Sequence, residues 1–197
     1  INPTIDKMSA HGHGGFMYLL LDEYGANATI LFSDGSANGN TAHNGGVLYI
    51  NSTTPVNVTM LGTSFSMNNA VDNGSVVFAT GPTLALNMVG GNVQNHTVEI
   101  PFVLDGGRVT VSVNDSLFEY NSAGTIFALN DTGPSAQLHF NAFNNTWHAN
   151  QVSTNDANSF GGCIRFWCLN TCTQTVNLTS NPFSNNTHNL AGGVLAM

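Results

Sequence analysis

Gly45-Gly46-Val47-Leu48-Tyr49-Ile50 is one copy of a pattern that punctuates the whole chain. Further copies are Gly14-Gly15-Phe16-Met17, Gly161-Gly162-Cys163-Ile164 and Gly192-Gly193-Val194-Leu195, with degenerate forms at Gly74-Ser75-Val76-Val77 and Gly124-Thr125-Ile126-Phe127. Their first positions lie 31, 29, 50, 37 and 31 residues apart. The gap of 50 is expected to hide an irregular coil, broken around Gly90-Gly91 and Gly106-Gly107. After the glycine pair the second and fourth residues stay apolar: Leu48 and Ile50, Val77 and Ala79, Phe127 and Leu129, Ile164 and Phe166, Leu195 and Met197. The residue between them varies, from Tyr49 to Phe78, Ala128 and Arg165. A period of two puts the constant set inside a sheet and the variable set outside.

A second element precedes each glycine pair: an alternating strand, then Phe, then Asn. Val56–Met60 leads to Phe65 and Asn68, Val109–Val113 to Phe118 and Asn121, and Val176–Thr179 to Phe183 and Asn186. Gln137–Phe140 leads to Phe143 and Asn144, and Ala28–Leu31 to Phe32, a poorer copy. One strand cannot bury its inner face alone, but equivalent strands stacked coil on coil can. Phe would then form an internal aromatic column. Asn would sit at a turn, where its amide bonds to the backbone and tolerates a left-handed conformation. The expected fold is all-β: a single domain over residues 1–197 forming a right-handed parallel β-helix of about six coils. The alternative is a β-sandwich, which has no reason to repeat this internal order.

The G-G-[V/I]-[L/I] and F-x-x-N motifs resemble the repeats of polymorphic outer-membrane proteins, themselves similar to the pectate-lyase-like superfamily of right-handed β-helices. The resemblance covers most of the chain, departs from the pattern at Gly74-Ser75 and Gly124-Thr125, and includes no recognisable membrane barrel. It implies a fold and a surface location, not an activity.

Composition agrees with short strands and tight turns: the chain has 21 Gly, 28 Asn and 42% hydrophobic residues. Only 7% of residues are charged, the net charge is −8, and the basic side chains are Lys7, Arg108 and Arg165. Nucleic acid is therefore excluded as a partner, because phosphate backbones need clustered Lys and Arg. The apolar run from Phe16 to Leu21 is too short to span a bilayer. So few charges leave the surface in need of another hydrating layer.

Covalent N-linked glycans are the expected layer. Acceptor sequons N-x-S/T stand at Asn27, Asn51, Asn57, Asn73, Asn95, Asn114, Asn130, Asn144, Asn177 and Asn185, ten in all. Chance would give about five at this composition. Asn170-Thr171-Cys172 is a weaker variant. Cys168 and Cys172 bracket a plausible turn and are expected to pair, leaving Cys163 as a buried thiol.

No catalytic or metal-ligating set emerges, and no cofactor is expected. Asp72, Asp105 and Asp131 are the acids to inspect for a carboxylate pair. His11 and His13 are the closest histidines, a weak metal motif read as an N-terminal turn. Trp147, Trp167, Tyr49 and Tyr120 could stack on sugars. The chain stops on the opening of a further coil, so copies of itself stacked head to tail are the expected partners. The expectation is a secreted, non-enzymatic structural subunit of a surface fibre, sheath or coat. The alternatives are a carbohydrate-binding or adhesive cell-surface module that meets extracellular polysaccharide and, more remotely, a polysaccharide lyase or hydrolase.

Overall fold

A computed structural model describes residues 4–22, 27–97, 100–122, 125–152, 163–169, 171–188 and 195–196. The glycines at 124, 161, 162, 192 and 193, Asn170 and Met197 lie outside the described residues.

The chain is a parallel β-solenoid of about five turns, close to the six expected. Every strand pairing among the described residues is parallel, which excludes the sandwich. One sheet stacks seven short strands: Thr4–Asp6, Ser36–Asn38, Ser64–Ser66, Asn92–Gln94, Leu117–Glu119, Thr146–His148 and Phe183–Ser184. A second, of 11 strands, begins with Met17–Leu21 and Leu48–Ser52, continues through Val77–Val89, Phe102–Asn114 and Phe127–Asp131, and reaches Ile164–Trp167 and Leu195–Ala196. Ala28–Ser33, Val56–Leu61, Ala136–Phe143 and Cys172–Thr179 pair into the same sheet through the far halves of the two 13-residue strands. Two-stranded sheets, Thr41–Asn44 with Asn69–Asn73 and Gln151–Val152 with Thr187–His188, cover part of the third side.

The glycine pair is explained by two different contacts. Gly45 has φ +64°, and a Cβ there would lie 2.3 Å from the carbonyl oxygen of Leu48. Gly46 packs against the next coil, where a Cβ would lie 2.2 Å from the carbonyl oxygen of Ser75. The first glycine makes the turn and the second lets coils approach. The gap of 50 holds two short coils rather than one irregular one: Val77 aligns with Phe102 and Phe102 with Phe127, each 25 residues on. Phe102 enters its strand behind Pro101, without a glycine pair. Gly90 belongs to a corner, and Gly106 lies inside a strand where a Cβ would meet the Gly81 carbonyl oxygen at 2.7 Å.

Alternation holds on the inner face. Leu48, Ile50, Val77, Ala79, Phe127, Leu129, Ile164 and Phe166 are all buried. Tyr49, Phe78 and Arg165 face outward and are partly exposed. Ala128, expected outside, is buried together with its register partner Val103, so the outer face is covered at those two rungs.

The aromatic column exists, but its membership needs two corrections. Register aligns Ala37, Phe65, Val93, Phe118, Trp147 and Phe183. Trp147 stacks on Phe118 at 4.2 Å and on Phe183 at 5.5 Å between ring centroids. Phe143, the residue read into this column, instead lies at a strand end and is 51% exposed. Phe32 aligns with Met60, and Ala37 takes the column place in that coil. The misreading arose because Phe143 and Trp147 are four residues apart, and only register tells which one faces in.

Two corners carry left-handed residues in every described coil. One column is Lys7, Gly39, Met67, Asn95, Tyr120, Ala149 and Asn185; the other is Asp34, Gly62, Gly90, Asp115, Asn144 and Ser180. Apart from Met8, which follows Lys7 and is 45% exposed, the residue after each sits on the inner side of its corner. Behind the first column stand Asn40, Asn68, His96, Asn121, Asn150 and Asn186. Asn121 shows how this ladder works: its Oδ1 accepts from His96 N at 3.1 Å, and its Nδ2 donates to Val93 O and Asn150 Oδ1, both at 2.9 Å. Asn40 bonds Asn68, and Asn150 bonds Asn186, in the same way. An extended strand therefore turns into a corner without stranding buried backbone donors.

Candidate functional site

Strand register assembles a cleft on the outside of the large sheet. Asp105, Asn130 and Trp167 occupy one outward column on three successive rungs. Arg165, two residues before Trp167 on the same strand, shares its outward face. Asp131, Thr132 and Leu169 complete the lining of a cleft of about 510 Å³. Cys168 and Cys172 are joined by a disulfide with Cα atoms 6.1 Å apart. This bond closes the turn that carries Leu169 and adjoins Trp167, and Gln174 Nε2 donates to Cys168 Sγ at 2.9 Å. The turn that directly follows the indole is therefore closed by the disulfide.

The floor is polar and partly desolvated. Asn130 Nδ2 donates to Asp105 Oδ1 at 2.5 Å. Burial raises the Asp105 carboxyl above the ordinary carboxylate value, while the Asn130 amide and the Arg165 charge pull it back. Burial lowers the Arg165 guanidinium from its ordinary value, and Asp105 opposes that shift. Asn130 Oδ1 and Arg165 Nε are buried with no hydrogen-bond partner among the described residues. Asp131 Oδ1 accepts from Gly133 N at 2.7 Å and so shapes the turn beside the cleft. Trp167 is 40% exposed and Leu169 70%.

Of the three acids singled out, the fold brings together Asp105 and Asp131. Asp72 is not among the lining residues; it faces His43 Nδ1 at 3.7 Å on an exposed surface. His13 Nδ1 meets Asn44 Nδ2 at 3.2 Å, and the ring stacks on Tyr49 at 4.4 Å. No cluster of three or more His, Cys, Asp or Glu suited to a metal occurs among the described residues. Cys163 is buried, and its thiol is pushed up to about 12 by desolvation, which makes it unreactive.

The aromatics separate sharply. Trp147, read as an exposed sugar platform, is fully buried in the core column and cannot serve. Tyr49 is stacked between Tyr18 at 5.1 Å and Phe78 at 5.5 Å, so its ring faces are occupied. Burial and the neighbouring Tyr18 hold its phenol above the ordinary tyrosine value. Tyr120 is 53% exposed at a left-handed corner. In the sequence Arg165 stands out only as a scarce base and Asn130 only as a sequon. The i, i+2 spacing of Arg165 and Trp167 on an alternating strand was the available sign that both share one face.

The sequon asparagines all stand on the outer surface. Asn27, Asn51, Asn57, Asn95, Asn144, Asn177 and Asn185 are exposed, and Asn73, Asn114 and Asn130 are partly exposed. Comparison with protein-family models, curated proteins and solved structures yields no match.

Among the described residues no helix is long and apolar enough to cross a membrane.

Proposed function

We propose that the chain is an extracellular structural glycoprotein, a solenoid segment of a cell-surface coat, sheath or fibre that associates with copies of itself. Its motifs ally it with the repeats of polymorphic outer-membrane proteins, and we assign it the same right-handed winding. The role is mechanical rather than catalytic.

One observation carries the reading: the asparagines divide into two populations. Those whose amides build the corner ladders are Asn40, Asn68, Asn121, Asn145, Asn150, Asn181 and Asn186, and none has Ser or Thr two residues on. A glycan on any of them would remove an amide hydrogen from a ladder and force sugar into the interior. The ten sequons are all outward or partly so. Alternation alone does not account for this, because inward positions accept hydroxyls two residues after Asn73 and Asn114: Ser75 and Ser116 are buried. Sugar can thus coat this chain without disturbing the ladders, and on a surface with 7% charged residues it would supply the hydration.

The test is expression of the full chain through a eukaryotic secretory pathway. Intact mass should fall on treatment with a peptide-N-glycosidase, with deamidation mapped to several of the ten sequons. Negative-stain images should show end-to-end particles. An unchanged mass, or only compact single particles at every concentration, would sink the respective half of the reading.

A further inference from the structure

We infer that the cleft of Asp105, Asn130, Arg165 and Trp167 is a binding site for a neutral hexopyranose unit. This goes beyond the structural role and rests on different residues from the ladders. A pyranose offers one face of C–H groups and a rim of hydroxyls, each both donor and acceptor. It therefore fits a site that combines an exposed indole with donors and acceptors held at fixed spacing. Trp167 supplies the exposed ring, on a lip tied by the Cys168–Cys172 disulfide. Asp105 supplies acceptors, and the Arg165 guanidinium supplies donors.

The unsatisfied groups point the same way. Asn130 Oδ1 and Arg165 Nε are an acceptor and a donor, buried at the cleft without partners among the described residues. Leaving such groups unmet is costly, and a hydroxyl can meet either kind. Charge decides against acidic sugars. The lining holds two carboxylates, Asp105 and Asp131, against the single guanidinium of Arg165. An added carboxylate would enter a region that is already net negative. The volume of about 510 Å³ suits one or two sugar rings.

Asn130 also belongs to a sequon, which makes the inference sharper. A glycan attached to Asn130 Nδ2 would stand where the ligand is placed, beside Asp105. The inference therefore requires that Asn130 remain unmodified while other sequons are used.

The experiment titrates the full-length chain with cellotetraose, mannotetraose and laminaritetraose, and with trigalacturonate as the anionic comparator. Calorimetry gives affinity. Indole emission gives location: the chain has 2 Trp, and Trp147→Phe leaves Trp167 as the sole reporter. At least one neutral tetrasaccharide should bind with a dissociation constant of about millimolar or tighter, and blue-shift the Trp167 emission. Trp167→Ala removes an exposed side chain, so the far-ultraviolet spectrum should be unchanged while affinity falls about tenfold or more. Asp105→Asn should weaken neutral sugars without creating tight binding of trigalacturonate. If Trp147→Phe does not fold, calorimetry on the wild type and Trp167→Ala decides alone. The inference is overturned if no neutral tetrasaccharide binds, if trigalacturonate binds more tightly than all of them, if Trp167→Ala binds as well as wild type, or if peptide mapping finds Asn130 fully glycosylated. The last result would leave the glycoprotein reading standing. An unglycosylated chain that binds sugar would do the reverse.

Discussion

At one corner of the solenoid the inward residues are Asn40, Asn68, His96, Asn121, Asn150 and Asn186; at the other they are Gly35, Thr63, Gly91, Ser116, Asn145 and Asn181. Both corners use the same left-handed backbone, and both pass a backbone bond between coils, as from Asn69 N to Asn40 O and from Asn92 N to Thr63 O. They differ in how completely the side chain serves its neighbours. An asparagine amide bonds the coil on either side of it. A hydroxyl does less: Ser116 Oγ accepts from Gly91 N at 3.0 Å and donates to Asn114 O within its own turn. A glycine contributes nothing beyond its backbone. The left-handed bend is thus the common requirement of a corner, and the amide ladder is an added layer of cohesion concentrated on one side of the rod.

Removing a ladder amide should be the most damaging change. Asn121→Ala leaves the buried His96 N–H and the Val93 carbonyl short of a partner, and should cost about 4 kcal/mol in chemical denaturation. A loss below about 1 kcal/mol would erase the distinction between the corners.

His96 tests the ladder by pH. Among Asn40, Asn68, His96, Asn121, Asn150 and Asn186 it is the one that is not asparagine. Its ring lies 3.0 Å from Ser75 Oγ, 3.1 Å from Asn68 O and 3.4 Å from Phe65 O. Burial lowers its pKa from 6.5 to about 4. The unfolded chain therefore binds the extra proton first. The stability conferred by the neutral ring is complete above pH 6.5 and is lost as pH falls towards 4. The loss amounts to about 3 kcal/mol by the time the folded ring titrates. His96→Asn should abolish this part of the pH dependence, and an unaltered stability profile between pH 4 and 6.5 would show that the ring is not the source.

Ser116→Ala, made in unglycosylated protein because it also removes the Asn114 sequon, should cost about 1 to 2 kcal/mol. A cost equal to that of Asn121→Ala would place the two corners on a par. Ala149→Gly should do the least. Its φ of 51° suits glycine, and the relieved strain slightly exceeds the added chain entropy. A gain of about 0.5 kcal/mol is expected from thermal unfolding, and a loss would mean that the Cβ packs usefully.

The repeat, the parallel stacking and the outward sequons were legible because each depends on local residue type. Gly45-Gly46 announces a turn and a close approach, and Leu48 and Ile50 announce an inner face. What could not be read was alignment between coils of unequal length. Phe143 and Trp147 compete for one place in the aromatic column, and nothing local says which wins. The same uncertainty hid the cleft, since Asp105, Asn130 and Trp167 are 25 and 37 residues apart and meet only through register. His96 was invisible as a ladder member because its type breaks the pattern that its position keeps.

The sequence by itself determined that strands of period two, broken by glycine and asparagine, would bury one face by stacking. That follows from side-chain alternation and backbone conformational preference, which act over a few residues. Only the tertiary structure decided which asparagines turn inward to form ladders, which tryptophan is core and which is lip, and which polar groups share a cleft. Those outcomes depend on how coils of unequal length take up the difference in their turns, because within a strand a one-residue shift of register moves each side chain to the opposite face.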